Sequence, residues 1–123
     1  MKNGKEKFKN NLKLRIYNWT LRLIRVIDKL SKENSSQILG KQLIRSGTSI
    51  GANYIEAQAA SSKKDFANFL HYSLKSANES KFWISLLKDS NKLNREDANK
   101  LLDELIEISN ILGSSLITIK KNK

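Results

Sequence analysis

The feature that most constrains this chain is a run of apolar residues at alternating steps of four and three. Leu12, Ile16, Trp19, Leu23, Val26 and Leu30 stand at spacings of 4, 3, 4, 3 and 4. A strand alternates with a period of two, whereas steps of three and four return every side chain to one face of a helix. Similar stripes follow. Leu39, Leu43, Ile50, Tyr54 and Ala57 form the second, and Phe66, Leu70, Ser73, Leu74, Ala77, Ile84 and Leu87 the third. Leu101, Leu105, Ile108, Leu112 and Ile119 form the fourth. With no proline and five glycines in 123 residues, the chain lacks the punctuation of a turn-rich β fold.

The breaks between stripes carry capping chemistry. The first stretch is expected from about Phe8 to Lys32, where Ser31-Lys32-Glu33-Asn34-Ser35-Ser36 interrupts it. Ser35 or Ser36 is the expected N-cap of the second helix. Ser62 with Asp65 resembles a capping box ahead of the third, which ends near Ser90. Asn94 precedes Glu96 and Asp97 at the start of the fourth. Connections of two to six residues between long helices make successive helices run antiparallel. The expectation is an all-α protein: an antiparallel, up-down-up-down four-helix bundle forming one domain over residues 11–121. A frayed basic tail is expected over residues 1–10.

The second helix contains Ser46-Gly47-Thr48-Ser49-Ile50-Gly51-Ala52, almost wholly small residues. Two interior glycines cost about 1 kcal/mol each relative to alanine. Close approach of a neighbouring helix offsets that cost; the alternative is a kink between Gly47 and Gly51.

The first helix has more apolar surface than one seam uses. Leu14, Tyr17, Leu21 and Ile24 recur at spacings of 3, 4 and 3 on the side away from Leu12–Leu30. A helix of a monomeric bundle buries one stripe and wets the rest. Phe69, Tyr72, Trp83 and Leu86 give the third helix a similar excess. Two apolar faces predict a homo-oligomer, with Leu14, Tyr17, Leu21 and Ile24 at the subunit interface. Scattered exposed apolar residues are the plainer explanation.

Charge is unevenly distributed. The chain has 23 Lys and Arg against 12 Asp and Glu, a net charge of +11. Residues 1–32 hold 10 basic and 2 acidic side chains, so 10 − 2 leaves +8 there. Arg15, Arg22, Arg25, Lys29 and Lys32 fall on one stripe at spacings of 7, 3, 4 and 3. Arginine offers paired donors to phosphate, which makes these five residues the expected nucleic-acid contacts, to RNA or DNA. Two other readings stand beside this one. The stripe is a solvated face that keeps the protein soluble, or it pairs with Asp103, Glu104 and Glu107 of the fourth helix.

The chemistry of an enzyme is not encoded in any recognisable form. Cysteine is absent and His71 is the only histidine, which excludes a cysteine-based zinc site, a His-rich metal cluster, a di-iron site built on two Glu-x-x-His pairs and a bis-His haem. No metal or cofactor is expected. His71 lies between Leu70 and Tyr72 with no nucleophile nearby in sequence, and no phosphate-binding glycine loop occurs. Glu56 and Glu79 are expected to pair with Arg45 or with one another. No apolar stretch is long enough to span a membrane or serve as a secretion signal, so a cytoplasmic protein is expected.

The run from Gln42 to Ala57, with Arg45-Ser46-Gly47-Thr48-Ser49-Ile50-Gly51-Ala52-Asn53-Tyr54-Ile55-Glu56 at its centre, resembles the hallmark of the bacterial four helix bundle protein family. Lys64-Asp65-Phe66, Phe69-Leu70 and Ser76-Ala77-Asn78-Glu79 extend the likeness. That family includes proteins encoded by intervening sequences in 23S rRNA genes. It is similar to the accessory variability proteins of diversity-generating retroelements. This chain has Gly51 and Ala57 where the family usually has Pro and Gly. The resemblance implies a ring-like homopentamer with a positive surface. Through the retroelement relatives, it also implies nucleic acid and a reverse transcriptase or other protein as partners. The expected function is a non-enzymatic accessory or chaperone-like nucleic-acid binder. The alternative is an oligomeric scaffold or protein-partner adaptor.

Overall fold

The computed structural model describes the backbone of residues 4–121 and the side chains of residues 11–121. Four helices account for nearly all of it: α1 (Gly4–Asp28), α2 (Asn34–Gln58), α3 (Lys63–Asp89) and α4 (Arg95–Lys121). No strand occurs among the described residues. Each helix packs on two neighbours, α1 on α2, α2 on α3, α3 on α4 and α4 back on α1, while among the described residues the backbones of the diagonal helices stay apart. That closed arrangement is a four-helix bundle.

The stripes form the core, as the periodicity predicts. Leu12, Ile16, Trp19, Leu23 and Val26 of α1 are buried against Leu43, Ile50, Leu70, Ile84, Leu101, Leu105, Ile108 and Leu112. Burial of each such side chain contributes roughly 1.5–3 kcal/mol. Leu30, Leu39, Phe66, Leu74 and Ile119 lie at the margins, half-buried. Ala98 and Leu116 join the core without having been singled out by spacing.

Five serines are also buried, and their hydroxyls are satisfied by hydrogen bonds. The Ser46 and Ser80 hydroxyls lie 2.8 Å apart across the α2–α3 contact. Ser73 Oγ donates to the carbonyl of Ile50 at 2.8 Å. Ser36 Oγ is 2.8 Å from that of Ser31, and Ser109 Oγ donates to the Ile106 carbonyl. No buried side-chain polar atom lacks a partner among the described residues.

The helix ends both confirm and revise the sequence reading. Ser62 Oγ accepts the backbone N–H of Asp65 at 3.0 Å, and Asn94 Oδ1 accepts that of Asp97 at 2.8 Å. Both expected caps are therefore in place. α2 instead starts at Asn34 behind Glu33, which makes no side-chain cap, while Ser36 is drawn into the core. α1 ends at Asp28 rather than Lys32. Its last turn closes with tighter bonds, Lys29 N–H to the Val26 carbonyl and Leu30 N–H to the Ile27 carbonyl. The tail expected over residues 1–10 falls largely outside the described side chains, but the backbone is helical from Gly4 onward. Asn91, at φ 61°, makes the turn into α4 in a left-handed conformation that asparagine tolerates.

α2 runs unbroken through its small-residue segment. The side of the segment bearing Gly47 and Gly51 meets Trp19, Leu23 and Ile16 of α1. Ser46 faces Ser80 of α3. The small side chains admit both neighbouring helices, and the helix does not break there.

Candidate nucleic-acid interface

Three of the five expected cationic contacts, Arg15, Arg22 and Arg25, lie on α1 itself. Lys29 and Lys32 lie in the connection beyond its end. Helical spacing alone placed all five on one stripe; the early end of α1 separates the last two.

The structure also divides the five by what they face. Arg15 donates through Nε at 3.0 Å and through Nη2 at 2.6 Å to the two carboxylate oxygens of Glu104. This bidentate bond is the main reason that the Arg15 guanidinium is held even more firmly in its charged form. Lys29 Nζ donates to Asp97 at 3.1 Å, which holds the Asp97 carboxyl below its ordinary range. Arg22, Arg25 and Lys32 make no ion pair among the described residues, and all three are exposed.

Between α1 and α4 lies an open groove of about 610 Å³. Arg15, Arg22 and Lys100 supply its positive charge, Asp103, Glu104 and Glu107 its negative charge, and Trp19 lines it between them. The Trp19 indole N–H donates to the Leu101 carbonyl at 3.0 Å, tying α1 to α4 beneath the groove. A groove with three cations and three carboxylates is a poor receptor for polyphosphate. The pairing of the stripe with the fourth helix is thus realised at Glu104, and Asp97 adds a second pair that had not been foreseen.

The second apolar stripe of α1 faces outward. Leu14 is 57 % exposed, Tyr17 61 % and Ile24 40 %, while Leu21 is half-buried. On α3, Tyr72 and Leu86 are exposed; Phe69 and Trp83 are half-buried against the core. Phe82, at 59 % exposure, was missed because it lies off the α3 seam. Its ring stands edge-to-face on Trp83 with centroids 5.0 Å apart. Ile38, Ile55, Ile106 and Ile117 are further exposed apolar residues that one-face reading passed over.

Glu79 pairs with Arg45, as expected for one of the two carboxylates, and also accepts the Trp83 indole N–H at 2.9 Å. The indole bond is the largest influence lowering the Glu79 carboxyl, with Arg45 adding to it. Glu56 and His71 are exposed. Among the described residues, no group of three or more His, Cys, Asp or Glu is placed to hold a metal ion. No described helix is long and apolar enough to cross a membrane.

Fold and surface define a basic four-helix-bundle protein with outward apolar residues on more than one helix. Residues 12–114 match the 23S rRNA-intervening sequence protein family, and the chain belongs to that family. It is also similar to a crystal structure described as a protein of unknown function from the S23 ribosomal protein family of Bacteroides thetaiotaomicron. The two are 35% identical with a TM-score of 0.82, over 88% of this chain and 96% of that one. No curated protein matches the chain.

Proposed function

We propose that this protein is a non-enzymatic, cytoplasmic, homo-oligomeric bundle that binds nucleic acid as an accessory or chaperone-like factor. Its helices run up-down-up-down, a direction pattern supported by the short connections and by the contacts between α2 and α3, whose partner on α3 falls from Ser80 to Ser73 as the α2 position rises from Ser46 to Ile50. Copies associate through Leu14, Tyr17, Leu21 and Ile24 of α1 into a ring-like assembly, with five subunits as implied by the family resemblance. The observation that carries the nucleic-acid reading is that Arg22, Arg25 and Lys32 remain exposed and unpaired at the most basic part of the chain. The rRNA in the family's description makes ribosomal RNA the first ligand to try.

If Arg22, Arg25 and Lys32 each engage one phosphate, the log–log salt slope is about −3 per chain on a duplex. Fluorescence anisotropy with labelled ribosomal RNA fragments at rising salt tests this. Affinity is expected to fall steeply with salt and to weaken when Arg22 and Arg25 become Glu. Absence of binding at low salt overturns it.

The engagement of Arg15 by Glu104 and of Lys29 by Asp97 favours a second reading, an oligomeric scaffold or protein-partner adaptor whose charge serves solubility. On that reading the assembly persists while every RNA probe fails to bind.

A further inference from the structure

The outer face of α3 changes character along its length. Lys64, Asn68, His71, Lys75 and Asn78 succeed one another at spacings of 4, 3, 4 and 3, and all five are exposed. Their Cα atoms span about 21 Å at the helical rise of 1.5 Å per residue. Past Asn78 the same face carries Phe82 and Leu86 and becomes apolar.

No carboxylate lies in the row itself, though the exposed Asp65 stands beside it, next to Lys64 and three residues before Asn68. The acidic residues of α3 are Asp65, Glu79 and Asp89, none of them in this row. Asp65 belongs to the capping turn, Glu79 is engaged by Trp83 and Arg45, and Asp89 ends the helix. Within the row, the hydrogen bond formed is from Lys81 Nζ to Asn78 Oδ1 at 3.2 Å, which brings a further cation alongside. Tyr72 adjoins the row, 48 % exposed, its ring held edge-to-face on Phe69 with centroids 6.0 Å apart and planes at 84°. Phe69 is half-buried, so the tyrosine ring is supported from below while leaving area open to solvent.

We infer that the N-terminal half of α3 is a docking surface for single-stranded nucleic acid, with Lys64 and Lys75 on phosphates, Asn68, His71 and Asn78 toward base edges, and Tyr72 stacked on an unpaired base. This deepens the nucleic-acid reading above and rests on it. The choice of a single strand follows from the chemistry present. Amide and imidazole groups hydrogen-bond with exposed base edges, and an aromatic ring stacks on exposed base faces. An RNA duplex conceals the base faces and Watson–Crick edges, and its deep, narrow major groove keeps side chains from the remaining edges, leaving the two lysines as the main contacts it could use here. The length of the row suits a few nucleotides, the lower end of site sizes for single-strand binders.

The test compares anisotropy of a labelled single strand of about 12 nucleotides, as oligouridine and as oligothymidine, with a duplex of equal length. The expected result is tighter binding of the single strands than of the duplex. Lys64→Glu with Lys75→Glu should weaken single-strand binding at least tenfold. Tyr72→Ala should weaken it about 5- to 150-fold, the range for loss of one base stack, while Tyr72→Phe retains it. Circular dichroism checks that each variant is folded; because the substituted side chains are exposed, helicity should be unchanged. Equal or tighter binding of the duplex, or no effect of the α3 substitutions when Arg22→Glu with Arg25→Glu abolishes binding, overturns this inference alone. Failure of the unaltered protein to bind any probe at low salt overturns the nucleic-acid reading itself.

Discussion

Gly47 of α2 lies directly against Leu23 of α1: a Cβ at position 47 would overlap the Leu23 Cδ2 methyl and touch the Trp19 ring at 3.4 Å. Leu23 is fully buried, so it has little room to yield. Gly47→Ala is expected to cost about 1–3 kcal/mol through overpacking, despite alanine's better helix propensity. Gly113 of α4 offers the control, since a Cβ there meets nothing within 4 Å. Gly113→Ala should stabilise by about 0.5–1 kcal/mol. Urea midpoints that move the same way for both would refute the close-packing account.

The bond from Trp19 Nε1 to the Leu101 carbonyl is buried. Trp19→Phe removes the donor and leaves space beside α4, so a loss of about 1–3 kcal/mol in equilibrium unfolding is expected. A change below about 0.3 kcal/mol would mean that the bond adds nothing beyond the aromatic packing.

Acid should weaken the fold in a defined direction. Lys29 holds the Asp97 carboxyl low, and Trp83 followed by Arg45 holds Glu79 low. Lowered folded-state values mean that the stabilisation is complete above the unfolded carboxylate range, about pH 4. It is lost as pH falls through the folded-state values. Urea midpoints should therefore hold steady from about pH 7 to 5 and drop below about 4. In Asp97→Asn with Glu79→Gln that drop should be shallower; an identical profile would exclude these two groups as its source.

Releasing Arg15 provides a direct reading of what its pairing withholds. Glu104→Gln removes the charged acceptor of the bidentate bond. If nucleic acid binds along α1, affinity should rise and the salt slope should steepen by about one per chain. Arg15→Ala, by contrast, should leave the slope nearly unchanged. A slope that drops by one in Arg15→Ala would show that the arginine leaves Glu104 for phosphate.

Assembly is tested at the most exposed apolar side chain among the described residues of α1. Tyr17→Glu places a charge on the proposed contact without entering the core, since Tyr17 is 61 % exposed. Light scattering after size exclusion should give a multiple of 14.1 kDa for the unaltered chain and 14.1 kDa for the variant, with helicity retained. A single-copy mass for the unaltered protein overturns the oligomer proposal.

The four helices, their core residues and the caps at Ser62 and Asn94 were legible in the sequence because each depends on spacing within about one turn. Leu12 through Val26 had to share a face whatever they packed against, and Ser62 had only its own backbone to reach. Where a residue's fate depended on a partner from elsewhere in the chain, local spacing was silent. Ser36 looks like a cap in sequence and is a core residue in the fold, because Ser31 meets its hydroxyl. α1 stops at Asp28 although its apolar period continues to Leu30.

The same boundary runs through the candidate interface. By itself the sequence determined that positive charge gathers in the first quarter of the chain and that α1 has apolar residues to spare, both properties of composition and helical period. Only the tertiary structure decided that Arg15 and Lys29 are neutralised while Arg22, Arg25 and Lys32 are not. Glu104 is 89 residues from Arg15 in sequence and Asp97 is 68 from Lys29. A charge is free or engaged according to what lies within a few ångströms of it, and packing of α1 on α4 sets that distance.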